Sequence, residues 1–406
     1  MISVAAIPAE SAVAKSNATV ITVPGGDVAA LYKAVYDESG RPRDNVTIDL
    51  VPGVFRLDPS QPFGGRLVLG AKTILRSTLK MAVDDRGVPV VDGYYEPTVL
   101  AEGAKIDGGA LAPHPFAVMG EGVIIVGDRG LVQQIWVDTG LGPSGSLRPG
   151  IEITSRGTVR YACVRGHRIG LRVRAAAKKA HGVIVGSLVA DNSIGMIILS
   201  LDPDLGHSTG GKVRVEAIIQ HSASVNSTTV NLLIIGGIGS DHNRMDVQTS
   251  CNLFGGRASV ANVRVVGGQN VLTPGSHHNR VKLRSVGDRF VGAAVGLQVE
   301  GGALQSESMS GSFSLPERQS SNNKATAVLT GATFESNLND IVAYGGISRT
   351  NEPGGDHNEV RVVISHAGSP RLTVKAFDCS PEENFGACSN RSEVRQVSAL
   401  LGELAN

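Results

Sequence analysis

Aromatic side chains are scarce in this chain: Phe, Tyr and Trp make up 4% of 406 residues, and there is a single Trp. Neutral sugars stack on such rings, so few sites of that kind can be built here. Net charge is nearly absent as well, +1 at pH 7, which gives no reason to expect nucleic acid or an anionic membrane as partner. No apolar run approaches the ~20 residues of a membrane helix. The opening MISVAAIPAESAVAKS lacks a basic segment followed by a sustained apolar one, so no signal peptide is read from it. Cysteine is sparse, four in all. Cys163 and Cys251 lie in apolar, strand-like runs and are expected as buried thiols. Cys379 and Cys388 bracket CSPEENFGAC, expected as a disulfide-closed tail; such a bridge favours an exported setting, secreted or periplasmic.

What the chain has in quantity is glycine, 51 residues, alongside Val, Ile, Leu and Ala. That balance suits many turns around a thin aliphatic core. After a polar start, DVAALYKAVYDE places Val28, Leu31, Val35 and Tyr36 at helical spacing behind an Asp27 cap. NVTIDLVPGVFRL and GRLVLGAKTILRS then alternate as strands do. From residue 150 the chain reads as a two-stroke unit, an apolar first strand, a loop of variable length and a second strand. First strands start near 150, 169, 194, 229, 250, 269, 295 and 340. A repeat of about 20–25 residues built on short strands is that of a solenoid.

The capping helix, the VPGVFRL strand and degenerate rungs with Gly and Asn at their corners resemble the pectate-lyase-like right-handed parallel β-helix superfamily. The resemblance covers roughly residues 20–375 and is one of architecture. It implies an all-β, single-stranded parallel β-helix with an N-terminal capping helix. The expected layout is a segment 1–20, a β-helix over 21–375 with its helix at about 27–38, and a tail over 376–406. The paired-Asp signatures of the polygalacturonase branch and an arginine motif of pectate lyases are not found. The inulin fructotransferase branch has similar length and layout, without a match to its catalytic carboxylates.

Three stretches share a motif: DHNRMDV (241–247), HHNRVKL (277–283) and DHNEVRV (356–362). On the repeat above, Asn243, Asn262 and Asn279 fall on consecutive rungs, with Asn323 and Asn358 in later ones, suiting a ladder of amide hydrogen bonds. His242 and His278 then lie two rungs, ~9.6 Å, apart, whereas zinc needs nitrogens at ~2.0–2.1 Å. The motif is expected to punctuate the repeat and hold no metal, with His277 left free to reach sideways.

Alternation directs Glu152, Arg172, Ile197, Asn231, Asn252, Leu272 and Gln298 outward, with a second outward column of Thr154, Arg174, Leu199, Leu233, Phe254 and Glu300. In enzymes of this superfamily substrate commonly lies along one parallel sheet, walled by loops. Glu152, Arg172, Lys178, Asp202, Asp204 and His207 are therefore the candidate catalytic residues, since carboxylates, cations and an imidazole are what acid–base chemistry needs. Arg174, Lys179, Asn231, Asn252 and Phe254 are the candidate substrate-binding residues. The same residues also suit a solvated sheet: Glu152 and Arg172 make a common cross-strand pair, and DPDLGHSTGG an ordinary turn-rich loop.

The expected function is a carbohydrate-active enzyme that cleaves or rearranges glycosidic bonds, a polysaccharide lyase or glycoside hydrolase on an acidic glycan. Two alternatives stand beside it. One is a non-catalytic β-helix surface protein or adhesin working as a homo-oligomer such as a trimer. The other is an intramolecular transferase or cyclase on a small substrate, favoured by a closed apolar pocket at Leu199, Leu233 and Phe254. No cofactor is expected; calcium would need several converging oxygens, and only Glu152, Asp202 and Asp204 offer them.

Overall fold

The computed structural model describes residues 18–78, 103–111, 121–139, 148–175, 178–201, 212–238, 240–256, 258–270, 276–304, 320–348, 357–365, 372–379 and 389–397. Three strands make each turn of the chain. Pro149–Ile153, Arg156–Arg160 and Cys163–Arg165 form one rung; Ile169–Arg174, Lys179–Val185 and Leu188–Ala190 stack on it as the next. Strands at each position pair in parallel, giving sheet I with twelve strands, sheet II with ten and sheet III with nine. This is the expected right-handed parallel β-helix.

The two-stroke unit is thus a three-stroke one. Sheet III strands are mostly three residues long, too short to register as alternation. The repeat also needs correction between residues 230 and 295. Leu253–Gly255, expected as a first strand, lies in sheet III, and the run expected to begin near 269 is the end of Ala261–Asn270 in sheet II. One rung stands where two were expected, because the apolar run containing Phe254 resembles its neighbours in composition but feeds a different wall.

Inside, Ile151, Leu171, Met196, Leu232, Val263, Leu297 and Ile341 line up in register along sheet II. Under sheet III, Phe254, Phe290 and Phe334 stack with ring centroids 5.8 and 4.7 Å apart. The helix Val28–Val35 caps the first rungs, and the Asp27 side chain accepts from the Ala30 amide at 2.9 Å. Tyr36, just past its end, donates through its hydroxyl to the Arg66 carbonyl and accepts from the Val68 amide. The cap therefore fixes the start of sheet II.

The histidine motifs occupy the corner leading into sheet I. From Asn279 through Asn323 and Asn358 to Asn390, each carboxamide oxygen accepts both the backbone N–H and the side-chain NH2 of the Asn one rung before, the column starting at Asn243. The ladder exists, but Asn262 belongs to another column, receiving a hydrogen bond from Asn231 and donating to Asn337. His242 and His278 consequently sit on adjacent rungs, not two apart, with rings stacked at 4.8 Å. Their φ angles are both 57°, and His357 repeats the turn at 56°. Among the described residues no group of three or more His, Cys, Asp or Glu side chains is placed to hold a metal.

Two cysteine expectations divide. Cys163 is buried, and burial pushes its thiol up to about 12. Cys251 is exposed instead, at a corner with φ 53°. The Cys379–Cys388 loop lies outside the described residues, apart from the backbone of Cys379.

Candidate functional site

The outer face of sheet II is built from three in-register columns. The first pairs Glu152 with Arg172, Ile197, Leu233, Arg264, Gln298 and Val342 rung by rung. The second runs from Arg174 through Leu199, Ile235, Val266 and Glu300 to Tyr344. A third, beyond the bulge after Leu199, joins Ile238, Gln269 and Ala303. The face points away from the helical core, yet Ile197, Leu199, Leu233, Ile235 and Val266 are buried there as an apolar cluster of their own. Charge is confined to the two ends of this belt.

At one end, the Glu152 carboxylate accepts from Arg172 at 2.7 Å, from Arg174 at 2.9 Å and from the Gly122 amide at 2.8 Å. Glycine is required at 122, since a Cβ there would come within 2.8 Å of the Glu152 Cβ. Glu152 and Arg172 side chains are fully shielded from solvent, while Arg174 keeps 13% of its side chain exposed. Burial alone would push the Glu152 carboxyl up; Arg172 and Arg174 outweigh it, and the carboxyl sits below its usual range. Burial pulls the Arg172 guanidinium down, opposed by Glu152.

Two further arginines face this group. Arg66 pairs with Glu121, and Arg148 donates to the Glu121 carbonyl at 3.2 Å. Burial lowers both guanidinium pKa values; Arg148 adds repulsion at Arg66, and Glu152 acts in the opposite direction. Four arginines thus surround two glutamates. Behind them, the His167 ring lies 3.3 Å from the Arg148 carbonyl, and the His167 amide donates to Asn192 at 2.8 Å. Burial holds the His167 ring neutral, down to about 4.

At the other end, Arg264 grips Glu300 with two hydrogen bonds of 2.7 Å, and Gln298 donates to the same carboxylate at 2.5 Å. This paired geometry is the most specific that a guanidinium offers a carboxylate.

The structure therefore brings together Glu152, Arg172 and Arg174 as expected. Lys178 and Lys179 stand exposed at the head of a sheet I strand, around the corner from them. Asp202, Asp204 and His207 lie outside the described residues. Asn231, Asn252 and Phe254 are not on this face. Asn231 is buried and donates to the Gly255 carbonyl and Asn262; Asn252 is buried and bonded to Asp288; Phe254 belongs to the core stack. Register explains the error at Asn231, because Leu233 is the true partner of Ile197. Since Phe254 points inward, it cannot line an apolar pocket with Leu199 and Leu233. Arg66, Arg148 and Arg264 went unrecognised as site residues. Arg264 carried a readable signal, as the one charge in an otherwise apolar VRVV run, whereas the other two depend on long-range folding.

No protein-family model and no curated protein matches the chain. Among solved structures it is similar to the Dettilon tailspike protein, at 10% identity over 88% of this chain and 68% of that one, TM-score 0.36. It is similar to the A-module of the Azotobacter vinelandii mannuronan C-5 epimerase AlgE6, at 15% identity over 92% and 96%, TM-score 0.35. A third is the DFA-IIIase from Arthrobacter chlorophenolicus A6 in complex with GF2, at 10% identity over 88% and 93%, TM-score 0.31.

Proposed function

We propose that the chain is a carbohydrate-active enzyme acting on an acidic glycan along the outer face of sheet II, with β-elimination ahead of hydrolysis. The excess of cations around Glu152 and Glu121, namely Arg66, Arg148, Arg172 and Arg174, carries this reading. A uronate carboxylate bound by guanidinium groups loses negative charge, which acidifies its C5 proton. A base then takes that proton, the C5–H electron pair forms the C4–C5 double bond, and the C4–O bond breaks to release the leaving chain. His207 is the candidate base by chemistry; Lys178 and Lys179 stand around the corner, at the head of a sheet I strand. Glu152 is unsuited to act as the proton donor of a hydrolase, because its arginines keep it ionised. Its role in this reading is to hold Arg172 and Arg174 in place.

The test is incubation with polygalacturonate and other polyuronates, following the ultraviolet absorbance of unsaturated uronide with reducing ends assayed in parallel. Absorbance that rises, and falls at least tenfold in Arg174→Gln, supports elimination. New reducing ends without absorbance move the chemistry to hydrolysis. Silence in both favours a second reading, a non-catalytic glycan-binding scaffold. The complete burial of the Glu152–Arg172 pair supports that alternative. Self-association, as a trimer or otherwise, belongs to either reading and is measured by light scattering.

A further inference from the structure

Five sheet I strands begin with a cation at the same register position, and the next strand has Glu359 there. Lys179, Arg214, Arg244, Arg280 and Lys324 are directly in register on five successive rungs. Successive charges are therefore spaced by the ~4.8 Å separation of neighbouring strands. The first four are exposed and Lys324 is half-buried. Exposed Lys178 and Lys212 flank the start of the row, and Lys282 and Arg284 lie beside it on the Arg280 strand. Neutralisation is partial. Arg214 meets Glu216 at 2.5 Å, Arg244 meets Asp246 at 3.2 Å and Lys324 meets Glu359 at 2.7 Å. Lys179 and Arg280 make no salt bridge among the described residues. Exposed pairs of this kind are worth ~0.2–1 kcal/mol, so an incoming anion can compete for the arginines.

We propose that this row is a docking rail for a linear polysaccharide carrying one carboxylate per sugar, separate from the sheet II face. The geometry decides the class of polymer. A pyranose adds to a linear glycan a length close to one rung, and the screw of the chain turns neighbouring carboxylates to different sides, so every second or third uronate can meet every second or third cation of the row. The stacked His242–His278 pair borders the rail and offers ring surface and N–H donors to sugar hydroxyls. Nucleic acid fits less well. Single strands are bound by aromatic platforms for their bases, and the rail has no Trp, Tyr or Phe along it. Backbone pairing of the parallel strands sets the spacing, and beneath the rungs of Arg244, Arg280 and Lys324 the Asn ladder ties each corner to the next.

The rail shares its class of glycan with the proposed function but needs no catalysis, and binding is its only readout. Fully de-esterified polygalacturonate of defined length is titrated into the full chain by calorimetry, at two salt concentrations. Arg244→Glu with Arg280→Glu is expected to weaken binding at least tenfold and to flatten its salt dependence. Arg244→Lys with Arg280→Lys keeps most of the affinity, and neutral dextran does not bind. Far-ultraviolet dichroism checks that both variants are folded. Unchanged affinity in the glutamate variant overturns the rail, as does tighter binding of a thymidine homopolymer than of the polyuronate. An inactive protein that still binds through Arg244 and Arg280 retains the rail and rejects only the catalytic reading.

Discussion

Sheets I and II are walls of the same helix, made by the same pairing, and they meet solvent in opposite ways. Arg244–Ser250 on sheet I alternates strictly, with Met245, Val247 and Thr249 buried and the residues between them at least partly exposed. Val230–Ile238 on sheet II is buried at every position. A parallel strand shielded on both faces loses its alternation and reads as a continuous apolar run. The charges differ accordingly. On sheet I they lie at the surface, some paired, as Arg214 with Glu216 and Arg244 with Asp246, where water screens them. On sheet II they are enclosed, so each must find its counter-charge within the wall.

The sharpest way to break this contrast is to remove an acid from each wall. Glu152→Ala should cost about 3–5 kcal/mol, because it leaves two enclosed guanidinium groups without their carboxylate; Glu216→Ala should cost less than about 1 kcal/mol. Urea unfolding of both variants compares them, and equal losses would show that the sheet II cluster is hydrated. An apolar pair sharpens the point. Leu199→Ala should lose about 2–5 kcal/mol as a cavity opens, while half-buried Val183→Ala should lose less than about 1 kcal/mol.

The third prediction concerns acid. His167, behind the arginines, is held neutral in the fold down to about 4, against an ordinary value of 6.5. The unfolded chain takes up a proton below 6.5 and the folded one does not, so stability is complete above that pH. It falls as pH drops towards 4 and is flat below, with a total of about 3 kcal/mol. Unfolding midpoints of wild type and His167→Gln between pH 7 and 4 report it. The variant should lack this part of the slope. The smallest effect is expected on sheet I, where Arg244→Gln should change stability by no more than about 0.5 kcal/mol by urea titration.

Much of this contrast is written in local sequence. IGLRVR, IGMIILSL and VNLLII announce sheet II, and KVRVEAII and RMDVQTS announce sheet I. Glu152, Arg172 and Arg174 were found because a parallel sheet puts equivalent positions side by side. Sheet III was not legible: Leu188–Ala190 and Leu253–Gly255 are three residues each, shorter than two periods of alternation. Missing that wall misplaced Asn252 and Phe254 together, whereas Asn231 lies on the expected strand but too early along it, since Leu233 pairs with Ile197. The enclosure of the sheet II face was also hidden, since Glu152 and Arg172 are residue types that ordinarily mark a wet surface.

The asparagine ladder has a mechanical consequence. Every carboxamide from Asn243 to Asn358 donates towards the next rung and accepts from the one before, so the column has a direction. Pulled from its C-terminal end, the chain should yield one rung at a time, each giving up its amide links before the next bears load. A force–extension trace would then be a sawtooth, and the loop lengths between strands would set the unequal distances between its teeth.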